Sequence, residues 1–312
     1  MSAHIIVSAP VEPTLMAALE GQFTIHRLWE AEDPQAFIRE HAPVVRGLVT
    51  RSMIGADAAL MDALPNLEII SVFGVGTDAV DLAAAKARGI AVTNTPGVLT
   101  ADTSDYGMTL VLALARQISA ADNFVRAGRW PKEPFPNATR VNGKRLGIVG
   151  LGRIGQGVAR RAAAFDMKIA YTGPREKDDV PYEFFPDVEA LARDVDFLVL
   201  TCPGGKETEN LVDAKVLEAL GAGGMLVNIA RASVVDEPAL IAALKANTIK
   251  AAALDVFTGE PNVTPEFFEL DNVLLGPHIA SKTVETQRDI GNLVFANIAA
   301  HFEGGDLPSP VT

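Results

Sequence analysis

The stretch Lys144-Arg-Leu-Gly-Ile-Val-Gly150-Leu-Gly152-Arg-Ile-Gly155-Gln-Gly-Val-Ala-Arg160 combines an apolar strand, a glycine-rich turn and the start of a helix. Gly150 allows the tight turn, Gly152 lets the backbone approach a pyrophosphate, and Gly155 lets the helix pack closely on the strand. The phosphates would lie at the helix N-terminus, where backbone N–H groups are unpaired. The pattern therefore predicts dinucleotide binding by an α/β domain. The alternative is a tight strand-to-helix turn that holds no ligand.

The end of the next strand indicates which dinucleotide is bound. Lys168-Ile-Ala-Tyr171 is followed by Thr172-Gly173-Pro174-Arg175, so no carboxylate stands where NAD-binding proteins hold the ribose 2′-hydroxyl. Gly173 removes repulsion against a 2′-phosphate, and the planar guanidinium of Arg175 can pair with it. We therefore expect NADP(H) to be preferred, with NAD(H) possible. The alternative is that Arg175 belongs to a solvated loop with the charged residues that follow it.

The composition limits the class of protein. At 312 residues the chain is long enough for two domains, and 48% apolar with 21% charged residues fits a well-packed globule. The net charge of −12 argues against a nucleic acid or an acidic membrane surface as partner. Cys202 is the single cysteine, so no intrachain disulfide can form, and no signal sequence or membrane-spanning stretch is evident. We expect a cytoplasmic protein, and packing is the default interpretation of the Cys202 thiol.

Apolar runs alternate with helical patterns along the whole chain, which is typical of parallel α/β units. One unit precedes a single long helix predicted over Ala101–Ala127, and a second begins at the glycine motif and ends with a closing helix over Ser281–Phe302. The expected fold class is α/β, with two doubly wound parallel-sheet domains, Rossmann-like or flavodoxin-like, and a cleft between them. Such clefts are where a cofactor and a small substrate meet.

Three charged residues follow apolar runs in the second unit, and ligands of open α/β sheets lie beyond the carboxyl ends of strands. Arg231 follows Leu226–Ala230, Glu260 lies four residues beyond Val256, and His278 follows Leu274–Pro277. Arginine suits a carboxylate because its fork donates two charge-assisted hydrogen bonds, and histidine suits proton transfer near neutral pH. Taken singly, each is more simply a solvated charge or a structural histidine. Their joint occurrence behind the dinucleotide motif favours a catalytic site.

Six segments in order resemble the D-isomer-specific 2-hydroxyacid dehydrogenase family, from about Leu67 to the C-terminus. They are Phe73–Asp81, Thr93–Gly97, Gly147–Gly155, Asn228–Glu237, Leu254–Pro261 and Pro277–Ser281. The segments Tyr171–Arg175 and Thr283–Thr286 are most similar to the NADP-preferring glyoxylate/hydroxypyruvate reductases and hydroxyphenylpyruvate reductases. Where the family commonly has two glycines after its catalytic arginine, this chain has Ala232-Ser233, which leaves a neighbouring cofactor contact open.

The resemblance implies roles for named residues. Arg231 would hold the substrate carboxylate and polarise the 2-keto oxygen, His278 would donate the proton, and Glu260 would keep His278 protonated and oriented. The expected substrate contacts also include Val75, Gly76, Ser52 and Ser281. The expected cofactor contacts are Gly150, Gly152, Arg153, Ile154, Gly155, Gly173, Arg175, Thr103, Cys202, Pro203, Thr208, Ile229, Ala230, Asp255 and His278. Asp255 would bind the nicotinamide carboxamide. No metal site is expected.

The resemblance also implies a division of the chain. The substrate domain would comprise residues 1–98 with 287–312, and the dinucleotide-binding domain residues 99–286, with hinges near Pro96–Leu99 and Thr283–Arg288. Residues 101–136 would form a dimerisation arm or, alternatively, a simple linker, so a homodimer is expected. Trp130 or Phe135 would reach the partner's pocket or pack within the chain. The loop Arg51–Ile54 would face the substrate.

The resulting hypothesis is an NADPH-dependent reductase of a small 2-keto acid such as glyoxylate or hydroxypyruvate. The alternatives are a nicotinamide-sensing, corepressor-like binding protein with little turnover, and a relative that prefers aromatic 2-keto acids or NAD. A short-chain dehydrogenase is disfavoured, because none of Tyr106, Tyr171 and Tyr182 has a lysine four residues later. The sequence does not determine which 2-keto acid is preferred.

Overall fold

The computed structural model describes residues 2–312. The chain divides into two compact units. The first extends to Leu99 and also contains Lys282–Thr312, and the second is Thr100–Ser281. Each unit is built on its own parallel sheet, which confirms the predicted fold class of two doubly wound α/β domains. The assignment of one unit to the substrate and the other to the cofactor stays a prediction.

The first unit holds a five-stranded sheet. Its strands are β1 His4–Val7, β2 Thr24–Arg27, β3 Val45–Arg51, β4 Ile69–Phe73 and β5 Ala91–Thr93. They lie in the order β2-β1-β3-β4-β5, all parallel. The helices within this part are α1 Pro13–Gln22, α2 Pro34–His41, α3 Ala58–Ala63 and α4 Leu82–Ala87. A parallel sheet is covered on both faces, and the central strands are accordingly apolar, with Ile5, Ile6, Ile69 and Ile70 fully buried.

The second unit holds a seven-stranded sheet. Its strands are β6 Arg145–Val149, β7 Lys168–Thr172, β8 Glu183–Phe185, β9 Phe197–Leu200, β10 Met225–Asn228, β11 Ala251–Leu254 and β12 Val273–Leu275. Their order is β12-β11-β10-β9-β6-β7-β8, so the strand order reverses beside β6. That reversal places the glycine motif, which follows β6, at the topological switch point where dinucleotides bind.

The helices of the second unit are α5 Thr100–Arg116, α6 Ile118–Arg126, α7 Arg153–Ala163, α8 Val188–Asp194, α9 Ala214–Leu220 and α10 Glu237–Lys245. The chain then returns to the first unit through α11 Val284–Glu303, which packs on α1 and β4. Short 3₁₀ helices lie at Leu28–Glu30, Ala232–Val234 and Pro265–Glu269. None of the helices in residues 2–312 has the length and apolar character needed to cross a membrane.

The prediction of one long helix over Ala101–Ala127 is wrong. Gln117 has a left-handed backbone with φ of 52°, which ends α5 and starts α6 in a new direction. The carbonyl of Ala115 accepts a hydrogen bond of 2.8 Å from the amide of Thr139 instead of one from the next helical turn. The hydrophobic periodicity of the sequence continues across Gln117 and so does not predict the break. The break accompanies the contact with Thr139, a segment distant in sequence.

Two further differences concern short segments. The strand β8 was not predicted, and it pairs in parallel with β7 at the edge of the sheet. Phe135 packs on Phe124 within the chain, with ring centroids 5.2 Å apart, while Trp130 is 69% exposed. Of the two aromatic residues considered for a partner's pocket, Trp130 is the largely exposed one, whereas Phe135 is partly buried within the chain.

Candidate active site

The glycine turn after β6 leaves no room for side chains at two positions. Gly150 has φ of 92°, and a Cβ there would lie 2.7 Å from the Cα of Cys202. A Cβ on Gly155 would collide with the carbonyl oxygen of Gly150 and lie 2.9 Å from Thr201 Oγ1. The Thr201 hydroxyl donates a 2.6 Å hydrogen bond to the same carbonyl. Thr201 was not singled out from the sequence, yet it locks the turn that the two glycines make possible.

The N-terminus of α7 has no side-chain cap, because its capping residue is Gly152. Side-chain oxygens of Asp, Glu or Thr cap α1 to α4 and α8 to α11. Within residues 2–312, no side chain accepts from the amides of Arg153, Ile154 and Gly155 in the first turn of α7. Unpaired amides and the positive end of the helix dipole favour an anion. A dinucleotide pyrophosphate fits this turn.

The segment after β7 is open on the side where an adenosine ribose would lie. No atom comes within 4 Å of a Cβ placed on Gly173, and Arg175 is exposed. In the described part of the chain, no hydrogen bond or ion pair holds the Arg175 guanidinium. A guanidinium with free donors beside an open glycine fits a 2′-phosphate.

His278 and Glu260 form a hydrogen-bonded pair, with 2.7 Å between His278 Nδ1 and Glu260 Oε2. The other carboxylate oxygen accepts from the amide of Phe257 at 2.9 Å. Burial works to raise the pKa of Glu260, but these hydrogen bonds and the nearby His278 and Arg231 side chains hold that pKa below its usual value. Glu260 is therefore an anion whose hydrogen bond orients the imidazole.

Arg231 follows β10 and is fixed through its own backbone. The buried Asn228 accepts from the amide of Ala230 and donates to the carbonyl of Arg231, both at 2.9 Å. The Arg231 guanidinium also donates through Nη1 to the carbonyl of Ala230 at 2.9 Å. Asn228 lies in a segment that carries the family resemblance, but its part in shaping this turn was not anticipated.

Asp255 holds the loop that carries His278. Its two carboxylate oxygens accept from the amides of Ile279 and Ala280, each at 2.9 Å, and the side chain is 1% exposed. Burial raises the pKa of the Asp255 carboxyl against the lowering effect of these hydrogen bonds. The expected contact with a nicotinamide carboxamide stays a prediction, and the visible function of Asp255 is to position residues 278–280.

Tyr106 is a further member of this group that the sequence did not identify. Burial, together with a hydrogen bond and the charge of Asp255, raises the pKa of the Tyr106 phenol to about 12. A Cβ on Gly276 would collide with the Tyr106 hydroxyl and lie 2.7 Å from Asp255 Oδ1, so Gly276 is needed for this approach. The contact joins α5 to the loop of His278 and is invisible in the sequence because Tyr106 and Asp255 are 149 positions apart.

The remaining predicted cofactor contacts lie at the carboxyl edge of the same sheet or on α5. Ile229 and Ala230 are buried after β10, Cys202 is buried after β9, and Pro203 is exposed next to it. Thr208 donates to the carbonyl of Pro203 at 2.7 Å. Thr103 is 5% exposed, and in residues 2–312 its hydroxyl has no hydrogen-bond partner. An orphaned buried hydroxyl fits a polar ligand atom that the chain itself does not supply.

The predicted substrate contacts of the first unit lie in a second glycine turn, after β4. The carbonyls of Gly74 and Val75 accept from the Thr95 amide at 2.9 Å and from Asn94 Nδ2 at 2.7 Å. In the described residues, the amides of Val75 and Gly76 have no acceptor. Such amides suit a carboxylate.

Two serines complete the predicted substrate contacts. A Cβ on Gly74 would collide with Ser52 Oγ, so Ser52 lies against the turn. Ser281 is partly buried at the end of the second unit.

Residues 108–280 match the sequence profile described as "D-isomer specific 2-hydroxyacid dehydrogenase, NAD binding domain". The chain is 44% identical over 310 residues to a glyoxylate/hydroxypyruvate reductase A of Arabidopsis thaliana, covering 99% of both proteins. It is 43% identical over 307 residues to the hydroxyphenylpyruvate reductase of Plectranthus scutellarioides, covering 98% of both.

A solved structure is also similar over nearly its whole length. It is the NADPH-dependent glyoxylate/hydroxypyruvate reductase of Sinorhizobium meliloti in complex with NADP and malonate, with a TM-score of 0.94 and 39% identity over 100% of this chain and 97% of that one. The sequence profile, the full-length relatives and this structure agree with one another. The chain therefore belongs to the D-isomer specific 2-hydroxyacid dehydrogenase family, whose members are NAD(P)-dependent oxidoreductases.

Proposed function

We propose that this protein reduces a small 2-keto acid, such as glyoxylate or hydroxypyruvate, to the D-2-hydroxy acid with NADPH. The observation that carries the proposal is the His278–Glu260 pair, 2.7 Å apart, on the sheet edge that also carries Arg231 and the uncapped α7. Full-length relatives named for glyoxylate and hydroxypyruvate support the choice of substrate. When bound, the reduced nicotinamide supplies the hydride.

The proton would come from His278. The Glu260 carboxylate occupies Nδ1, so in the imidazolium the Nε2–H remains as the donor to the 2-keto oxygen. The Glu260 pKa lies below its usual value, so the carboxylate stays charged and holds the imidazole in one orientation.

Arg231 would hold the substrate carboxylate with two parallel hydrogen bonds and polarise the neighbouring keto group. The backbone clamp by Asn228 fixes the start of this side chain. Val75 and Gly76 are proposed to add two backbone donors to the same carboxylate, and Ser52 and Ser281 to contact the substrate. These roles are supported by the free amides after β4 and by the family resemblance.

The preference for NADPH is part of the proposal. It is supported by the open space at Gly173, by the unpaired Arg175 guanidinium, and by the NADP-bound state of the Sinorhizobium meliloti relative. A preference for aromatic 2-keto acids, as the name of the Plectranthus scutellarioides relative suggests, is the second candidate. A binding protein without turnover is disfavoured by the intact His278–Glu260 pair.

We also propose a cytoplasmic homodimer. On and just after α6, Ile118, Val125 and Trp130 are each more than half exposed, which is unusual for large apolar side chains on one segment. Covering them with the same surface of a second copy would remove this area from water. The location is supported by the composition, because a chain with a single cysteine, Cys202, does not depend on disulfides formed in an oxidising compartment.

The test of the function is oxidation of NADPH, followed by its absorbance, with glyoxylate, hydroxypyruvate and a phenylpyruvate as substrates. Replacing Arg231 with lysine is expected to raise KM for the 2-keto acid and to lower kcat, because a point charge cannot reproduce the bidentate clamp. A total loss of about tenfold to hundredfold in kcat/KM is expected for one charge-assisted hydrogen bond. Steady-state constants equal to those of the unmodified enzyme would contradict the role of Arg231.

A further inference from the structure

The two arginines of β3 have opposite environments. Arg46 is exposed and forms a bidentate pair with Glu68, at 2.6 Å from Nε and 2.9 Å from Nη2. Arg51, the last residue of the strand, is partly buried, and its Nε is buried without a hydrogen-bond partner. In the described part of the chain, its guanidinium has no ion pair or hydrogen bond at all. A partly desolvated cation with unused donors is costly unless a ligand pairs with it.

The position of Arg51 points to the substrate. Its guanidinium carbon lies 5.9 Å from the ring centroid of Phe73, and Phe73 immediately precedes the turn whose amides are proposed to hold the substrate carboxylate. A guanidinium within about 6 Å of an aromatic ring is attracted to the ring, and this attraction helps to fix the direction of the Arg51 side chain. Arg51 and Phe73 are paired residues of adjacent strands, so they share one face of the sheet.

Ser52, the next residue, has a second unsatisfied group. Its hydroxyl is buried without a partner in residues 2–312, and it lies against Gly74. Arg51 and Ser52 thus both have polar groups without a partner at the end of β3, beside the free amides of Val75 and Gly76. Unsatisfied buried polar atoms are rare in proteins, and two neighbours with this property are best explained by a ligand that satisfies both.

The chain holds these two residues in place. The carbonyl of Arg51 accepts from the amides of Ile54 and Gly55, at 3.0 and 2.9 Å, and Thr50 Oγ1 donates to the carbonyl of Gly55 at 2.8 Å. The amide of Ala56 donates to the carbonyl of Ala79 at 3.1 Å, which ties the loop to the segment after β4. The loop is therefore a fixed platform, and the donors of Arg51 and Ser52 are preorganised for a ligand.

We propose that Arg51 and Ser52 form a polar subsite for the end of the substrate remote from its 2-keto carboxylate. The subsite takes an oxygen acceptor, either a second carboxylate or a hydroxyl group, so besides the small 2-keto acids the protein also acts on longer ones with a polar end beyond C3. A guanidinium and a hydroxyl both donate to such oxygens, and an apolar chain would leave both groups buried and unpaired. This inference rests on the proposed function, because it concerns the same substrate.

The test compares substrates of equal length with NADPH as the reductant. The pairs are 2-oxoglutarate against 2-oxopentanoate, and 2-ketogluconate against 2-oxohexanoate, with glyoxylate as the reference. We expect the unmodified enzyme to prefer the polar member of at least one pair by kcat/KM. Arg51→Met is expected to lower that preference by about tenfold to hundredfold, as for the loss of a hydrogen bond to a charged group. Arg51→Gln distinguishes a carboxylate from a hydroxyl as the group bound in the subsite. Glutamine keeps a donor for a hydroxyl but loses the charge that a carboxylate requires.

The matched control is Arg46→Met on the same strand, which removes a paired arginine and should leave the substrate preference unchanged. Ser52→Ala is a second variant, with an expected loss of about twofold to tenfold in preference, and it keeps the test valid if Arg51→Met does not fold. Equal kcat/KM for the polar and apolar members of both pairs would overturn the subsite. So would an equal loss for polar and apolar members in both Arg51→Met and Ser52→Ala. If glyoxylate itself is not reduced, the proposed function fails and not merely the subsite.

Discussion

Two glycine turns follow strands of the two parallel sheets, and they offer backbone amides in different ways. The turn after β6 enters α7 directly and has no side-chain cap. The turn after β4 is not followed by a helix until α4, which Asp81 caps. An uncapped helix concentrates several amides and about half a positive charge at one point, which suits a diphosphate. A turn without a helix offers two amides, which suits a single carboxylate.

The two turns are also rigid for different reasons. Backbone atoms of Cys202 lie next to Gly150, and a backbone shifts less readily than the end of a flexible side chain. Gly74 faces the side chain of Ser52, while the carbonyls of its turn accept hydrogen bonds from Asn94 and Thr95, which follow β5. Gly150, at φ of 92°, is therefore required by close packing on Cys202 as well as by its turn, whereas Gly74, at φ of 138°, leaves space for Ser52.

Gly150→Ala should have the largest effect of the changes considered. The new Cβ would lie 2.7 Å from a backbone atom at a strained φ of 92°, at a cost of about 2–4 kcal/mol. If that strain falls on the binding turn, the Kd for NADPH rises by about 30-fold or more. Thermal unfolding and NADPH fluorescence titration measure the two effects. Gly223→Ala is the control, because nothing lies within 4 Å of its Cβ position and its φ is ordinary.

Unchanged NADPH affinity in a folded Gly150→Ala variant would show that this turn does not carry the cofactor. The glycines of the turn after β6 would then be required for packing alone.

Gly74→Ala should have a smaller and different effect. The new side chain would collide with the Ser52 hydroxyl at a strained φ of 138°, which displaces the amides of Val75 and Gly76. We expect KM for the 2-keto acid to rise by about tenfold, for one or two weakened hydrogen bonds, with little change in the Kd for NADPH. Gly89→Ala is the strain control, with φ of 68° and no atom within 4 Å.

A Gly74→Ala variant that loses NADPH binding as well would contradict the separate assignment of the two turns. If KM rises equally in Gly74→Ala and Gly89→Ala, the rise comes from general backbone strain and not from displaced substrate contacts.

The glycine turn after β6 was the part of the fold that the sequence predicted best. Its glycines, its apolar strand and its helix are local features, and the parallel sheet follows from the alternation of strands and helices. The break at Gln117 and the short strand β8 escaped prediction, because each depends on a distant partner, Thr139 in one case and β7 in the other.

In the candidate site, too, the sequence predicted local features and missed those that depend on contacts. Arg231, Glu260 and His278 were identified as reactive side chains after apolar runs, and the structure places His278 against Glu260. Their roles stay predictions. Asn228, Tyr106 and Thr201 were missed because their function lies in contacts: two of them bind backbone carbonyls, and Tyr106 meets an aspartate 149 positions away.

Arg175→Ala tests which cofactor the second unit binds. The guanidinium has no partner in residues 2–312, so its removal should cost little stability. We expect the Kd for NADPH to rise by about tenfold to hundredfold, for lost hydrogen bonds to a charged group, and the Kd for NADH to change by less than about twofold. Fluorescence titration with both cofactors gives the ratio, and Arg160→Ala, at an exposed site on α7, is the control. A ratio that does not move would refute the assignment of the 2′-phosphate.

The last prediction concerns the chemistry of Cys202, the only thiol, whose backbone packs against Gly150. Burial raises the pKa of the Cys202 thiol to about 11. Because the thiolate is the reactive form, alkylation by iodoacetamide at pH 8 should be about a hundredfold slower than for an ordinary thiol. The rate should keep rising about tenfold per pH unit until the pH approaches that pKa. Mass spectrometry of the native and urea-unfolded protein measures both rates, and a native rate that levels off near pH 9 would show that the turn leaves this thiol in water.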